Sequence, residues 1–349
     1  MSKYLNKRTS ALTPYVPGEQ PKDKKYIKLN TNESPYPPSI KALEAMRSAA
    51  NDDLRLYPDP DCEELKQTIA TSYDVGPQNV FVGNGSDEIL AFAFQAFFEP
   101  GCKIRFPKIT YSFYPVYAEL YGIAFETIPL DEEFNIPVGK FFSSEGGVVI
   151  PNPNAPTSVA LSINEIEKIV SENSEVVVII DEAYVDFGAE SAVSLISKYQ
   201  NLLVVQTLSK SRSLAGLRVG FAIGSSELIE GLEKIKNSFN SYTLDRIALA
   251  GAVASIKDFE YNMTVQKKII DTREWVVCEL DKLGFKQTVS KANFLFVSPP
   301  DGDAKKLFER LRKEGVLTRY FANIPNWLRI TVGTDAQMKE MLRVIERSC

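Results

Sequence analysis

A lysine follows a short apolar stretch in the middle of this 349-residue chain. Residues 202–210 read LLVVQTLSK, an apolar run typical of a buried strand that ends at Ser209 and Lys210. Open α/β sheets place their ligands at the carboxyl ends of strands. A lysine amine there can form a Schiff base with a carbonyl cofactor, and Arg218 lies close enough along the chain to add a positive charge. A strand followed by a solvated basic turn is the simpler interpretation, since serine and lysine are common in turns.

Pyridoxal phosphate is a carbonyl cofactor that makes four demands on a protein. It needs an amine for its aldehyde, an acid facing its pyridine nitrogen, donors for its phosphate and an aromatic plate over its ring. Asp181 is the candidate acid because it follows the apolar run of residues 176–180, and Tyr184 can donate to the cofactor's phenolic oxygen. An acidic loop after a strand is the alternative interpretation of these residues.

The phosphate site and the aromatic plate each have a candidate segment. Residues 83–87, GNGSD, lie between a strand pattern and a helix pattern, where free N–H groups and the helix dipole favour an anion. Such glycine turns often serve only chain geometry, so the motif alone is weak. Tyr111 follows another strand pattern and is the candidate plate, although most aromatic residues belong to cores. The candidate phosphate ligands are Gly85, Ser86, Asp87, Ser209 and Arg218.

The composition limits the possible partners and the compartment. The net charge is −5 and the pI is near 5.2, which argues against nucleic acid or an anionic membrane as a partner. The apolar runs have the length of strands, and the N-terminus has no apolar segment of signal-peptide length. The four cysteines, Cys62, Cys102, Cys278 and Cys349, are too scattered for metal-binding spacing and too few for a disulfide scaffold. We expect a cytoplasmic protein with no metal site.

The chain contains no histidine. This absence removes histidine-based acid–base catalysis, histidine-dependent triads and most catalytic zinc sites. The proton carrier of an enzyme with this sequence must therefore be lysine, tyrosine, aspartate, glutamate or cysteine. This restriction strengthens the case for Lys210.

The pattern of elements predicts a three-part organisation. Residues 1–38 are rich in proline and read as an extended arm laid over the rest of the chain. Residues 39–275 alternate strands with helices, which predicts a large domain with a mainly parallel seven-stranded sheet. Residues 276–349 predict a smaller α+β C-terminal domain. The predicted strands of the large sheet are residues 79–82, 103–106, 124–129, 148–150, 176–180, 202–205 and 219–223.

Together the motifs resemble the fold-type I pyridoxal-phosphate aminotransferases, and within them the histidinol-phosphate aminotransferases. The resemblance covers nearly the whole chain, and the motifs occur in the order that the family has. They are Asn32-Glu33-Ser34-Pro35, Tyr57-Pro58, Gly85-Ser86-Asp87-Glu88, Tyr111, Pro153-Asn154-Ala155-Pro156-Thr157, Asp181-Glu182-Ala183-Tyr184, Thr207-Leu208-Ser209-Lys210, Ala215-Gly216-Leu217-Arg218 and Leu328-Arg329-Ile330-Thr331-Val332-Gly333.

The resemblance implies a role for each matching residue. Lys210 would hold the cofactor as a Schiff base, Asp181 would face the pyridine nitrogen and Tyr184 would reach the phenolic oxygen, which makes these three the expected catalytic residues. Tyr111 would stack on the ring. The phosphate would be held by the candidates named above, and Tyr57 would reach it from the other subunit of a homodimer. The implied substrate-side residues are Tyr15, Asn32, Arg319 and Arg329.

One position departs from the family pattern. In the motif Pro153-Asn154-Ala155-Pro156-Thr157, the chain has Ala155 where the family has asparagine. The usual amide contact to the phenolic oxygen is therefore missing. Asn154, one residue earlier, is the candidate replacement, and the alternative is that Tyr184 acts alone. The expected reaction is transamination of L-histidinol phosphate with 2-oxoglutarate in histidine biosynthesis.

Three alternatives remain at this stage. An aromatic amino acid aminotransferase and a threonine-phosphate decarboxylase share the fold. A non-catalytic regulator or scaffold of the same fold is the third alternative. Such regulators carry an added DNA-binding domain, for which we see no spare length in this acidic chain.

Overall fold

Helices and strands alternate along most of the chain, as the sequence pattern predicts. The computed structural model describes residues 3–347, so Cys349 and the outermost residues of the predicted arm and C-terminal domain lie outside it. The helices are α1 (Lys7–Ala11), α2 (Ile40–Ala49), α3 (Glu63–Tyr73), α4 (Gly85–Phe97), α5 (Phe113–Tyr121), α6 (Ile163–Ser171), α7 (Ser226–Phe239), α8 (Arg246–Lys257), α9 (Phe259–Lys282), α10 (Ala304–Lys313) and α11 (Asp335–Glu346).

The strands form three sheets. They are β1 (Ile27–Lys28), β2 (Val80–Gly83), β3 (Ile104–Pro107), β4 (Phe125–Ile128), β5 (Gly147–Pro151), β6 (Val178–Asp181), β7 (Leu202–Thr207), β8 (Gly220–Gly224), β9 (Lys286–Gln287), β10 (Phe294–Ser298), β11 (Val316–Leu317), β12 (Arg319–Tyr320) and β13 (Leu328–Thr331). The seven strands predicted for the large sheet are all present, each shifted by three residues or fewer at its ends.

The large sheet has the strand order β2-β8-β7-β6-β5-β3-β4. Strand β8 is antiparallel to both of its neighbours, and the other pairs are parallel, so the predicted mainly parallel seven-stranded sheet is confirmed. Its central strands are apolar at nearly every position because helices cover both faces. Alternate residues go to the two sides: Ile180 and Val204 pack under α3, α6 and α8, whereas Ile179 and Leu203 pack under α4, α5 and α7.

The C-terminal part forms a small lobe around an antiparallel sheet of order β12-β13-β10-β9. Apolar residues of α9, α10 and α11 pack with this sheet in a core of their own. The 24-residue helix α9 leads from the large sheet into the small lobe. The boundary predicted between residues 275 and 276 falls inside this helix, and the division into domains stays a prediction.

The N-terminal segment contacts both lobes. Strand β1 pairs in parallel with β11 of the small lobe, and Glu19 forms an ion pair with Arg312. On the other side, the ring of Tyr15 stacks on Phe113 of α5, with 4.3 Å between the ring centroids. The segment therefore lies across the junction of the two lobes.

Two further properties follow from the described residues. Among residues 3–347, none of the helices combines the length with the apolar character that a membrane crossing requires. The thiols of Cys62, Cys102 and Cys278 are free.

Candidate active site

A cavity of about 170 Å³ opens at the carboxyl ends of the central parallel strands. Strand β6 ends at Asp181, and β7 ends at Thr207, so the loops that follow them carry Tyr184, Ser209 and Lys210 into the cavity wall. This is the edge at which open α/β sheets bind ligands. The sequence therefore brings its three expected catalytic residues, which are spread over 30 positions, to one place.

Lys210 has its amine inside the cavity. Its Nζ donates a hydrogen bond to the backbone carbonyl of Thr31 over 3.2 Å. The same nitrogen lies 5.8 Å from the centroid of the Tyr184 ring. A half-buried amine held by one weak backbone contact is free to react with a carbonyl group that enters the cavity.

Asp181 is a buried carboxylate whose two oxygens are both bonded. Tyr114 donates its hydroxyl to Oδ2 over 2.8 Å, and the backbone N–H of Ala183 donates to Oδ1 over 3.2 Å. Burial raises the pKa of Asp181 to about 6, although these two donors oppose the rise. The carboxylate lacks a direct cationic partner among the described residues, so a cation in the cavity would stabilise its charge.

The start of α4 forms an anion site together with Arg218. The first N–H groups of a helix have no intrahelical acceptors, and the helix dipole favours negative charge there. Arg218 donates to Ser209 Oγ over 3.4 Å and to Asp87 Oδ2 over 3.1 Å. Gly85 has a φ of +76°, and a Cβ there would lie 2.6 Å from Arg218 Nη2. Glycine at this position lets the guanidinium lie against the helix start.

Tyr111 lies on the cavity wall and is fixed by its hydroxyl. That hydroxyl donates to Asp87 Oδ1 over 2.7 Å. Burial, with the neighbouring Asp87 charge in second place, raises the pKa of Tyr111 well above its ordinary value, so the phenol stays protonated. Tyr15 of the N-terminal segment lies nearby, with 6.4 Å between the two ring centroids. Both rings border the cavity.

Tyr184 forms a hydrogen-bond chain with the segment before α2. Its hydroxyl oxygen accepts from Asn32 Nδ2 over 3.0 Å. Asn32 is in turn bonded twice to Thr331 of β13: its N–H donates to Thr331 Oγ1, and its Oδ1 accepts from the same hydroxyl, each over 3.0 Å. Asn32 has a φ of +56°, a conformation that asparagine tolerates better than most residues.

Two arginines from the small lobe also line the cavity. Arg329 of β13 donates through Nη2 to the carbonyl of Asn30 over 2.9 Å, whereas its buried Nε has no hydrogen-bond partner among the described residues. Burial lowers the pKa of Arg329. Arg319 of β12 makes a longer contact, 3.4 Å, with the carbonyl of Val16. The two guanidinium groups retain donors for an anion in the cavity.

Three expected cofactor ligands, Gly85, Asn154 and Tyr57, are not among the residues that border the cavity. Asn154 is fully buried, and its Nδ2 donates to the Ile109 carbonyl and to Thr157 Oγ1, so Ala155 rather than Asn154 lies on the cavity wall. Tyr57 is 77% exposed and stacks on Tyr242 with 4.6 Å between ring centroids. A residue that completes the site of a partner subunit must lie outside the cavity of its own chain, as Tyr57 does.

Comparisons with known proteins give the family. The model of the family "aminotransferase class I and II" matches residues 24–345, which is nearly the whole chain. The chain belongs to this aminotransferase family. It is 57% identical to the histidinol-phosphate aminotransferase of Clostridium acetobutylicum over 348 residues, with 99% of each chain covered. It is 55% identical to the enzyme of the same name from Clostridium beijerinckii, covering 99% of this chain and 98% of that one.

Solved aminotransferase structures share the fold. The histidinol-phosphate aminotransferase of Sinorhizobium meliloti in complex with pyridoxal 5'-phosphate is 23% identical, covers 100% of this chain and 99% of its own, and has a TM-score of 0.88. The aspartate aminotransferase of Thermus thermophilus with maleate is 18% identical, covers 100% of both chains and has a TM-score of 0.84. The predicted fold class, a fold-type I α/β transferase, is confirmed.

Pyridoxal 5'-phosphate is the cofactor of this aminotransferase family, as the sequence predicts. The cavity fits it on three observations. Lys210 offers an amine. Asp181 offers a buried carboxylate for a protonated pyridine nitrogen. Gly85 leaves room for Arg218 at the start of α4, where a phosphate would bind.

Several residues of this aminotransferase site were not found from the sequence. Tyr114 reads as a core aromatic of α5, and only its 2.8 Å contact shows that its hydroxyl serves Asp181. Thr331 was part of a motif but had no role assigned to it, and Thr31 contributes only a backbone carbonyl. An aromatic between two apolar stretches carries no local signal for a polar role. The site therefore extends beyond the residues that the motifs supplied.

Proposed function

We propose that this aminotransferase transfers the amino group of L-histidinol phosphate to 2-oxoglutarate, a reaction of histidine biosynthesis. The proposal depends chiefly on one observation, which is that a single cavity is bordered both by Lys210 and Asp181 and by Arg319 and Arg329. The identity of 57% to a histidinol-phosphate aminotransferase supports the same substrate. The substrates are small molecules, which suits a cavity bordered by residues of both lobes.

The substrate end must accept two different anions in turn. Histidinol phosphate carries a phosphate ester and no α-carboxylate, whereas the second substrate is a dicarboxylate. Guanidinium groups bind both phosphate and carboxylate in a bidentate manner. Within residues 3–347, Arg329 has an unpaired Nε and Arg319 makes one hydrogen bond, of 3.4 Å, so both retain donors for either anion.

Lys210 is the proton carrier of the proposed reaction. When bound, pyridoxal phosphate supplies an aldehyde for Schiff-base formation and a ring that withdraws electrons from the substrate carbon. The Nζ of Lys210 would carry a proton from the substrate carbon that bears the amine to the aldehyde carbon of the cofactor. The chain has no histidine that could take this role.

Asp181 and Tyr184 keep the ring and its phenolic oxygen in place. The carboxylate of Asp181, fixed by Tyr114 and the Ala183 N–H, would hold a proton on the pyridine nitrogen. Tyr184 borders the cavity and would donate its hydroxyl to the phenolic oxygen, and Tyr111 would stack on the ring. Ser86 and Asp87 at the start of α4 would hold the phosphate together with Ser209 and Arg218, and Gly85 would leave room for that guanidinium.

We also propose a cytoplasmic homodimer in which Tyr57 completes the phosphate site of the partner. Tyr57 is exposed and lies outside the cavity of its own chain, and the neighbouring Leu54 and Leu56 are exposed as well. Apolar residues in such a group are typical of a surface that another subunit covers. The free thiols of the described residues suit the reducing cytoplasm.

Absorbance spectroscopy tests the proposed reaction directly. Purified protein with bound cofactor should show a visible band that L-histidinol phosphate converts to a near-ultraviolet band, and 2-oxoglutarate should restore it. A response to phenylalanine or to threonine phosphate instead would reassign the substrate. The absence of a visible band even with added pyridoxal phosphate would contradict the proposed reaction.

Mixing two impaired variants tests the shared site. In a mixed dimer, Lys210→Ala and Tyr57→Phe fall in the same site if Tyr57 reaches the partner, and in different sites if Tyr57 acts within its own chain. If Tyr57 acts on the partner, each mixed dimer contains one site with both residues intact, and unfolding and refolding the two variants together should recover activity. If Tyr57 acts within its own chain, the mixture should be no more active than the sum of the separate variants.

A further inference from the structure

We propose that Asn32 and Thr331 are positioning residues that set the direction of the Tyr184 hydroxyl, so that its proton is donated into the cavity. Asn32 was expected from the sequence to bind substrate, whereas its amide is taken up by Tyr184 and Thr331. The inference rests on the proposed function only in requiring pyridoxal phosphate in the cavity.

The first step is the orientation of the Asn32 side chain. The Asn32 N–H occupies one acceptor site of Thr331 Oγ1, and the single hydroxyl proton of Thr331 goes to Asn32 Oδ1. If the amide were reversed, Thr331 would accept two N–H groups from Asn32 and would have no acceptor for its own proton within residues 3–347. The hydroxyl of Thr331 therefore fixes Oδ1 on its own side and Nδ2 on the side of Tyr184.

The second step is the proton of Tyr184. Its oxygen accepts from Asn32 Nδ2, and it makes no other hydrogen bond within residues 3–347. A phenol that accepts from an amide keeps its own proton for another acceptor. Because Tyr184 borders the cavity, the available acceptor is a ligand atom there. With the reversed amide, Tyr184 would donate to Asn32 and present no proton to the cavity.

The third step explains why this orientation matters in this chain. The side chain of Ala155 cannot donate a hydrogen bond, and the side-chain amide of Asn154 is committed to Ile109 and Thr157, neither of which borders the cavity. Neither side chain replaces Tyr184 as a donor to the phenolic oxygen. If the proton of the Tyr184 hydroxyl pointed away from the cavity, no other side chain of this loop would donate to the phenolic oxygen.

The pH titration of the visible band provides the readout. A donor to the phenolic oxygen stabilises the form that has lost the proton shared with the lysine nitrogen, so it lowers the midpoint of the titration. We expect Tyr184→Phe to raise the midpoint by about one pH unit or more. Thr331→Val removes the hydroxyl that fixes the Asn32 amide. This change should also raise the midpoint, by no more than Tyr184→Phe does. Thr331→Ser should restore the value of the unaltered protein.

A double-mutant cycle separates the proposed route from a general disturbance. Thr331→Val in the Tyr184→Phe background should leave the midpoint unchanged, because no hydroxyl remains to be directed. Lys210 lies 5.8 Å from the centroid of the Tyr184 ring and Arg329 interacts electrostatically with Tyr184, and both charged groups are retained in every variant. An equal shift in the two backgrounds would overturn the proposal, as would an unchanged midpoint in the single variant.

Two further variants guard against misfolding. Thr318→Val removes a hydroxyl that is also buried in the small lobe but has no partner among the described residues, so it should leave the midpoint unaltered. If Thr331→Val does not fold, Asn32→Asp replaces the donor with an acceptor and should raise the midpoint more in the unaltered background than in Tyr184→Phe. A visible band whose titration midpoint is the same in all the Tyr184, Thr331 and Asn32 variants would refute only this inference. The absence of the band would refute the proposed function.

Discussion

Tyr114→Phe is the sharpest test of how the structure sets the pKa of Asp181, the acid expected to face the pyridine nitrogen of the cofactor. The change removes one oxygen from a fully buried side chain whose hydroxyl donates to Asp181 Oδ2 over 2.8 Å. A hydrogen bond to a charged group contributes about 1.5–3 kcal/mol. Because one pKa unit corresponds to about 1.4 kcal/mol, its loss should raise the pKa of Asp181 by about one to two further units.

The direction of the effect follows from the starting value. The pKa of Asp181 is already raised to about 6, so its carboxylate is mostly ionised at neutral pH in the protein without cofactor. After Tyr114→Phe the pKa would be about 7 to 8, so at pH 7 half or more of the carboxyl groups would have to lose a proton before they could hold a protonated pyridine nitrogen. We therefore expect pyridoxal phosphate to bind about two- to tenfold more weakly at pH 7, with a smaller loss as the pH rises above the new pKa.

The assay is titration of the cofactor-free protein with pyridoxal phosphate at several pH values, followed by absorbance. Tyr73→Phe is a matched control, because the Tyr73 hydroxyl donates to Gln206 and Tyr73 does not border the cavity. The control should bind the cofactor as the unaltered protein does. Equal affinities for Tyr114→Phe and the control at every pH, in proteins of equal thermal stability, would refute this account of Asp181.

Three other predictions follow from the site. Lys210→Ala should lower kcat by about a hundredfold to ten-thousandfold and leave a cofactor that dialysis removes. Gly85→Ala should weaken cofactor binding, measured by titration, because its Cβ would lie 2.6 Å from Arg218 Nη2. Gly101→Ala, also at a positive φ but with no atom nearby, should bind normally. Arg329→Lys should raise the KM of both substrates about tenfold in steady-state assays without changing the cofactor spectrum, because lysine cannot form bidentate contacts.

The sheet was predictable because its signal is local. Parallel strands covered on both faces are apolar at almost every position, and residues 176–180 and 202–205 show this pattern clearly. Polar residues that follow such strands lie at the ligand-binding edge, which is why Asp181 and Lys210 could be found from spacing alone. The family resemblance added Arg319 and Arg329 of the small lobe, whose separation along the chain from Lys210 gives no local signal.

The hydrogen-bond network was not predictable in the same way. Asn32 and Thr331 are 299 positions apart, and their contact depends on how an extended segment lies against β13. The predicted replacement of the missing amide by Asn154 had a local basis, the neighbouring position. The backbone of this loop instead turns Asn154 toward Ile109, so nearness in sequence did not put its amide on the cavity wall.

Strand β13 carries both Arg329, a proposed substrate ligand, and Thr331, the residue proposed to orient Tyr184 through Asn32. Arg329 and Thr331 are two positions apart on this strand, so their side chains lie on the same face. Arg329 holds the carbonyl of Asn30, and Thr331 holds Asn32, which fixes the same short segment at two points. A displacement of β13 when an anion binds Arg329 would therefore also move the residue that orients Tyr184. The geometry of the substrate site and the direction of one cofactor hydrogen bond depend on a single strand.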